Sequence, residues 1–161
     1  MINVDRFVPS STGITKILKG AAIVGGVYVV YKILDKFVLN KEDDLSQREV
    51  SDDLTKLQKA GITQSYSDSQ FEIWASQLYA AINTNVFATD EDAIIRILGY
   101  LKNDADVLKI IKVFGTRELE GGLFMNKGNG SLPELVGFAL DEDEIKVVNL
   151  AFQRKGIKYR F

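Results

Sequence analysis

Apolar residues are distributed along the chain in two different ways. From Gly20 to Tyr31 the run GAAIVGGVYVVY carries no charge, and apolar character continues through Ile33, Leu34, Phe37, Val38 and Leu39 with Lys32, Asp35 and Lys36 interspersed. From Leu45 onward the apolar positions recur at helical spacing. Leu45, Val50, Leu54 and Leu57 predict a linker helix over residues 44–60, closed by Gly61 with Ile62 behind it as a glycine C-cap. Ser67 with Gln70 forms a capping box and Tyr66 with Phe71 a hydrophobic staple, opening a helix that buries Phe71, Trp74, Ala75, Leu78 and Ile82. Thr89, with Asp92 three residues on, predicts the next cap. Ile94, Ile97, Leu98 and Leu101 form the apolar face behind it, and Asp90, Glu91 and Asp92 lie at the positive end of the helix dipole.

The same logic continues to the C-terminus. Asn103 or Asp104 starts a helix with Val107, Ile110, Ile111 and Phe114 inward and Gly115 as its stop. Ser131 with Glu134 boxes another, in which Pro133 is tolerated because the first turn lacks amide partners. Asp141 with Glu144 caps the last, stapled by Leu140 and Ile145 and ended by Gly156. Between Gly115 and Ser131, the stretch from Glu120 to Gly130 reads as an inserted loop or small hairpin, and Lys155 to Phe161 as a small basic-aromatic tail, a frayed end or a dock for a membrane or partner. The expected fold class is all-α: an N-terminal leader and anchor helix over 1–40, a linker with its helix over 41–66, and a helical domain over 67–161.

The first apolar region reads as a single-pass membrane anchor. Its uncharged core is shorter than the roughly 20 residues of a spanning helix. Lys19 and Lys32 can snorkel to opposite interfaces, so that Ile17 to Leu34 spans about 27 Å at a rise of 1.5 Å per residue. Apolar residues surround this helix instead of forming one stripe, which disfavours a surface-lying helix. Gly20, Gly25 and Gly26 would each cost about 1 kcal/mol in a water-soluble helix but suit packing between membrane helices. Ala21 with Gly25 and Ala22 with Gly26 have the small-xxx-small spacing of self-associating spans. The anchor is read over Lys19, Gly20, Ala21, Ala22, Gly25, Gly26, Tyr31 and Lys32. A secretory signal and a buried core helix are the competing readings; no small-x-small cleavage site precedes Lys32. Lysines flank both ends, so charge does not fix the orientation.

Composition narrows the chemistry. The chain has no cysteine and no histidine, which removes disulfides, thiolate catalysis, the usual zinc sites and imidazole acid–base chemistry. A net charge of −2 leaves no surplus of Lys and Arg to neutralise phosphates, so nucleic acid is not an expected partner. Asn126 to Gly130 lacks the Gly-Lys-Ser/Thr ending of a phosphate loop. Glu118 and Glu120 are the only hint of a hydrolase acid, without a second carboxylate identifiable by spacing.

The string Thr89-Asp90-Glu91-Asp92-Ala93-Ile94-Ile95-Arg96-Ile97-Leu98 resembles the start of the second helix of an annexin repeat. Phe114 to Leu119 is similar to the passage after that family's third helix, and Glu144 to Ala151 to its last helix. The resemblance covers residues 67 to about 155 and implies a single five-helix repeat with an insertion near 120–130. It also implies a calcium site, built from carbonyls of the turn before Thr89 and a carboxylate for which Asp141 is the candidate. That turn holds Val86, Phe87 and Ala88 where the family has glycines. Val86 and Phe87 are accordingly read as partner contacts, and no metal or cofactor is expected. The expected function is a non-enzymatic membrane adaptor tying a bilayer to a protein assembly, in a bacterial envelope or in a phage virion with a membrane. A calcium-dependent phospholipid-binding module is the alternative, and a lysis-associated wall hydrolase the third.

Overall fold

The computed structural model describes residues 47–83, 89–119 and 129–161. Among them lie six helices and one two-stranded ribbon: α1 (Gln47–Lys59), α2 (Asp68–Ile82), α3 (Glu91–Tyr100), α4 (Asp104–Phe114), β1 (Thr116–Glu118), β2 (Asn129–Ser131), α5 (Leu132–Ala139) and α6 (Glu142–Arg154). The anchor residues from Lys19 to Tyr31 and Lys32, and the contact residues Val86 and Phe87, lie outside the described residues. Among the described residues no helix is long and apolar enough to cross a membrane.

Helix α4 is the axis of the fold. Ala105, Val107, Leu108, Ile110, Ile111 and Phe114 are all buried, because α1 and α2 pack on it and α5 closes a further side. The segment expected to be a linker helix is thus part of the core, through Val50, Leu54 and Leu57. Lys112 Nζ donates to Ser51 Oγ at 2.9 Å across the α1–α4 seam. Helix α3 packs on α2, and α6 packs on α3.

Local signals set most of the boundaries. Ser67 Oγ accepts from the Gln70 amide at 3.3 Å, and the Tyr66 ring meets Phe71 edge-on at 6.2 Å, as a staple should. Asn103 Oδ1 accepts from the Asp106 amide at 2.9 Å. At α5 the Ser131 amide and hydroxyl both donate to Glu134 Oε2 at 2.7 Å. Gly61 and Gly156 end α1 and α6 at φ +85° and +74°, each with the paired hydrogen bonds of a Schellman turn. Ile62 N–H donates to Leu57 O at 2.9 Å and Ile157 N–H to Phe152 O at 3.0 Å.

One cap differs from expectation. Helix α3 is capped by Asp90, whose Oδ1 accepts from the Ala93 amide at 3.0 Å, while the Thr89 hydroxyl lies 3.5 Å from Glu91 Oε1. Aspartate caps as well as threonine and brings a charge to the positive end of the helix. The Asp90 amide donates back to Ala81 O at 3.0 Å, which pins the start of α3 to the end of α2.

The stretch read as an inserted loop or hairpin is flanked by an antiparallel ribbon, Thr116 opposite Ser131, Arg117 opposite Gly130 and Glu118 opposite Asn129. Gly130 is in close approach here: a Cβ would fall 2.5 Å from Leu135 Cδ2, so a larger residue would make that buried side chain shift. The C-terminal tail is not frayed. Ile157 and Tyr159 are buried, and Asn149 exchanges two 3.0 Å hydrogen bonds with the Phe161 backbone.

Candidate protein-docking groove

Between α2 and α3 runs an open groove of about 530 Å³. The two helices are antiparallel, since Asp90 is bonded to Ala81 at one end and Trp74 stacks on Tyr100 at the other, centroids 5.7 Å apart. Ile73, Gln77 and Ala80 of α2 form one wall, and Asp90, Arg96 and Tyr100 of α3 the other. Trp74, Ala81, Ala93 and Ile97 form the buried floor. Ile73 and Tyr100 stand out of the surface, 51% and 46% exposed. Exposed apolar side chains beside a buried tryptophan make this face a candidate contact surface, because anchoring aromatics carry most of the energy in protein interfaces.

The aromatic end is held rigid. Tyr66 lies 4.8 Å from Trp74 in an edge-on arrangement, and its hydroxyl donates to Tyr100 O at 2.9 Å. Lys102 Nζ sits over the Tyr66 ring, 4.6 Å from its centroid. Lys155 reaches from α6 to the end of α3 and donates to the carbonyls of Gly99 and Leu101, satisfying acceptors that a helix C-terminus leaves open. Its pKa is lowered from the ordinary lysine value, first by partial burial and then by the nearby Lys102 charge, with Asp106 opposing.

Two buried carboxylates fix the surrounding backbone. Asp106 is fully buried; Oδ1 accepts from the Ser65 amide at 2.6 Å and Oδ2 from the Lys102 amide at 2.9 Å. It ties the strap before α2 to the turn after α3, which places Tyr66 and Tyr100 side by side. Asp104 Oδ1 accepts from both Lys158 and Tyr159 amides at 2.9 Å, clipping the tail to the start of α4. Burial raises its pKa above the usual carboxylate range, against the pull of those two amides.

Asp141 has the role of a cap. Its Oδ1 accepts from the Asp143 and Glu144 amides at 2.8 and 2.9 Å, and Glu144 Oε2 accepts from the Asp141 amide at 2.8 Å. Those bonds use one of its two carboxylate oxygens for the helix start. Among the described residues no group of three or more acidic, histidine or cysteine side chains is placed to hold a metal ion. Glu118 lies in β1, and its carbonyl accepts from the Tyr79 hydroxyl at 2.7 Å.

Ile73, Ala80 and Tyr100 escaped the sequence reading because helical periodicity marks what is buried and is silent on which outward residues line a groove. The contact residues expected from sequence, Val86 and Phe87, lie outside the described residues. No family model, curated protein or solved structure matches the chain.

Proposed function

We propose that the chain is a non-enzymatic, membrane-anchored adaptor whose helical domain docks a protein through the α2–α3 groove. The observation that carries the docking half is the pairing of exposed Ile73 and Tyr100 with the stacked Trp74, on two helices locked at both ends. The anchoring half rests on the uncharged run from Gly20 to Tyr31. The lack of histidine and cysteine supports a role without chemistry.

The test replaces Ile73 with a photo-crosslinking benzoyl-phenylalanine in the full chain and irradiates isolated membranes. The chain is expected to stay with the membrane pellet through carbonate extraction and to give a discrete adduct that fades when Tyr100→Asp is added. Full-length protein recovered without detergent in the soluble fraction sinks the anchor. An adduct pattern no different from that of an exposed position outside the groove lining, such as Asp143, sinks the docking role.

A further inference from the structure

We infer that the occupant of the α2–α3 groove is the same face of a second copy of this chain. The inference rests on the docking reading and names its partner. Its basis is that the two ends of the groove are unlike and complementary. At one end Ile73 and Tyr100 protrude; at the other the lining is made of Ala80, Ala81 and Ala93, whose small side chains leave room. Gln77 lies between Ile73 and Ala80 on α2, and Arg96 between Ala93 and Tyr100 on α3. A two-fold axis passing near Gln77 and Arg96 exchanges the ends, laying the protruding side chains of each copy over the alanines of the other.

Charge obeys the same operation. Lys102 stands at the protruding end, over Tyr66 beside Trp74, and Asp90 at the alanine end. The axis therefore sets Lys102 of each copy against the other's Asp90, and each Arg96, close to the axis, can turn toward that same acid. A surface with one sign at both ends would repel its own copy; here the two Lys102–Asp90 pairs attract, against the repulsion of the two Arg96 side chains near the axis.

The face is small. From Gln70 to Ala81 the helix rises about 16 Å at 1.5 Å per residue, and two helices side by side are about 20 Å wide, so the face covers on the order of 300 Å², short of the roughly 800 Å² per partner of a standard interface. The contact is weak and reversible in solution, and confinement of both copies to one membrane raises their effective concentration.

Because the chain has no cysteine, single substitutions report the geometry without background. Ile73, Gln77 and Ala80 are exposed, so their replacement leaves the fold intact. Differently tagged full-length Ile73→Cys and Ala80→Cys chains are purified, mixed and mildly oxidised. The mixed disulfide is expected to exceed either symmetric one about tenfold, and Gln77→Cys alone to form a symmetric disulfide. In parallel, self-association is followed through Trp74, the single tryptophan of the chain. Ile73→Asp or Ala80→Lys alone should weaken it about tenfold, and the two on one chain should restore it through two reciprocal ion pairs. Mixed and symmetric disulfides in equal yield, or a double variant no better than the single ones, overturns the proposal. A membrane adduct from position 73 to a different protein, with no mixed disulfide, overturns the second copy but leaves the adaptor standing. Loss of both signals removes both.

Discussion

Asp104 and Asp106 stand two residues apart on α4, both buried, and their surroundings predict opposite responses to the same substitution. Asp104 uses one oxygen for both of its amide partners, so Asp104→Asn keeps that acceptor and removes a charge whose burial is unfavourable. Asp106 uses both oxygens, and Asp106→Asn turns a donor toward the Ser65 or the Lys102 amide. Asp104→Asn should therefore lie within about 1 kcal/mol of the parent at pH 7, while Asp106→Asn should cost about 1–3 kcal/mol. The sign of the pH effect follows from the raised folded pKa of Asp104. The folded state holds this proton more tightly than the unfolded state, so the group's contribution falls as pH rises from the ordinary carboxylate range through the raised value. Urea titrations across that range should show Asp104→Asn gaining on the parent as pH rises; a gap independent of pH would mean that burial does not govern this carboxylate.

At the scale of helices, the caps decide where each element begins, and α3 offers a clean contrast. Asp90→Ala removes the side chain that accepts the Ala93 amide and should cost about 1 kcal/mol, whereas Thr89→Ala should change thermal stability by less than half of that. A larger loss for Thr89→Ala than for Asp90→Ala would return the cap to Thr89. The one-residue error in the sequence reading arises because Thr and Asp are both good caps and adjacent; the choice is made by the bond from the Asp90 amide to Ala81, which no local pattern reveals. The other caps were legible since their partners lie within three residues: Ser67, Ser131 and Asp141 act where their spacing placed them, and of the two residues that spacing allowed, Asn103 and Asp104, the cap is Asn103. So were the buried faces of α2, α3 and α4, which follow from period alone. What was not legible is tertiary. Asp106 meets Ser65 across 41 residues, and Lys155 meets Leu101 across 54, so a basic tail that looked frayed turns out to close the fold.

The whole molecule adds a constraint that neither residues nor helices supply, because α1 belongs to the same apolar cluster as the helices after it. A cut that removes residues 1–40 keeps Val50, Leu54 and Leu57, and the product should be a helical protein that unfolds cooperatively. A cut at residue 60 strips α1 from α4 and exposes the face it covers. Burying three such side chains contributes on the order of 1.5–3 kcal/mol each, a large share of the 5–15 kcal/mol that stabilises a typical domain. The shorter fragment should therefore lose cooperative unfolding, read by circular dichroism during heating, while the longer one keeps it. The longer fragment also separates the adaptor from the calcium-dependent lipid binder that the annexin resemblance implies. Asp141 spends its Oδ1 on two amides of its own helix, and among the described residues no group of three or more acidic side chains is placed to complete a calcium shell around it. Millimolar calcium should leave its melting temperature and its sedimentation with anionic liposomes unchanged. Calcium-restored sedimentation that Asp141→Asn abolishes would instead transfer the function to the lipid surface and leave the groove without its proposed role.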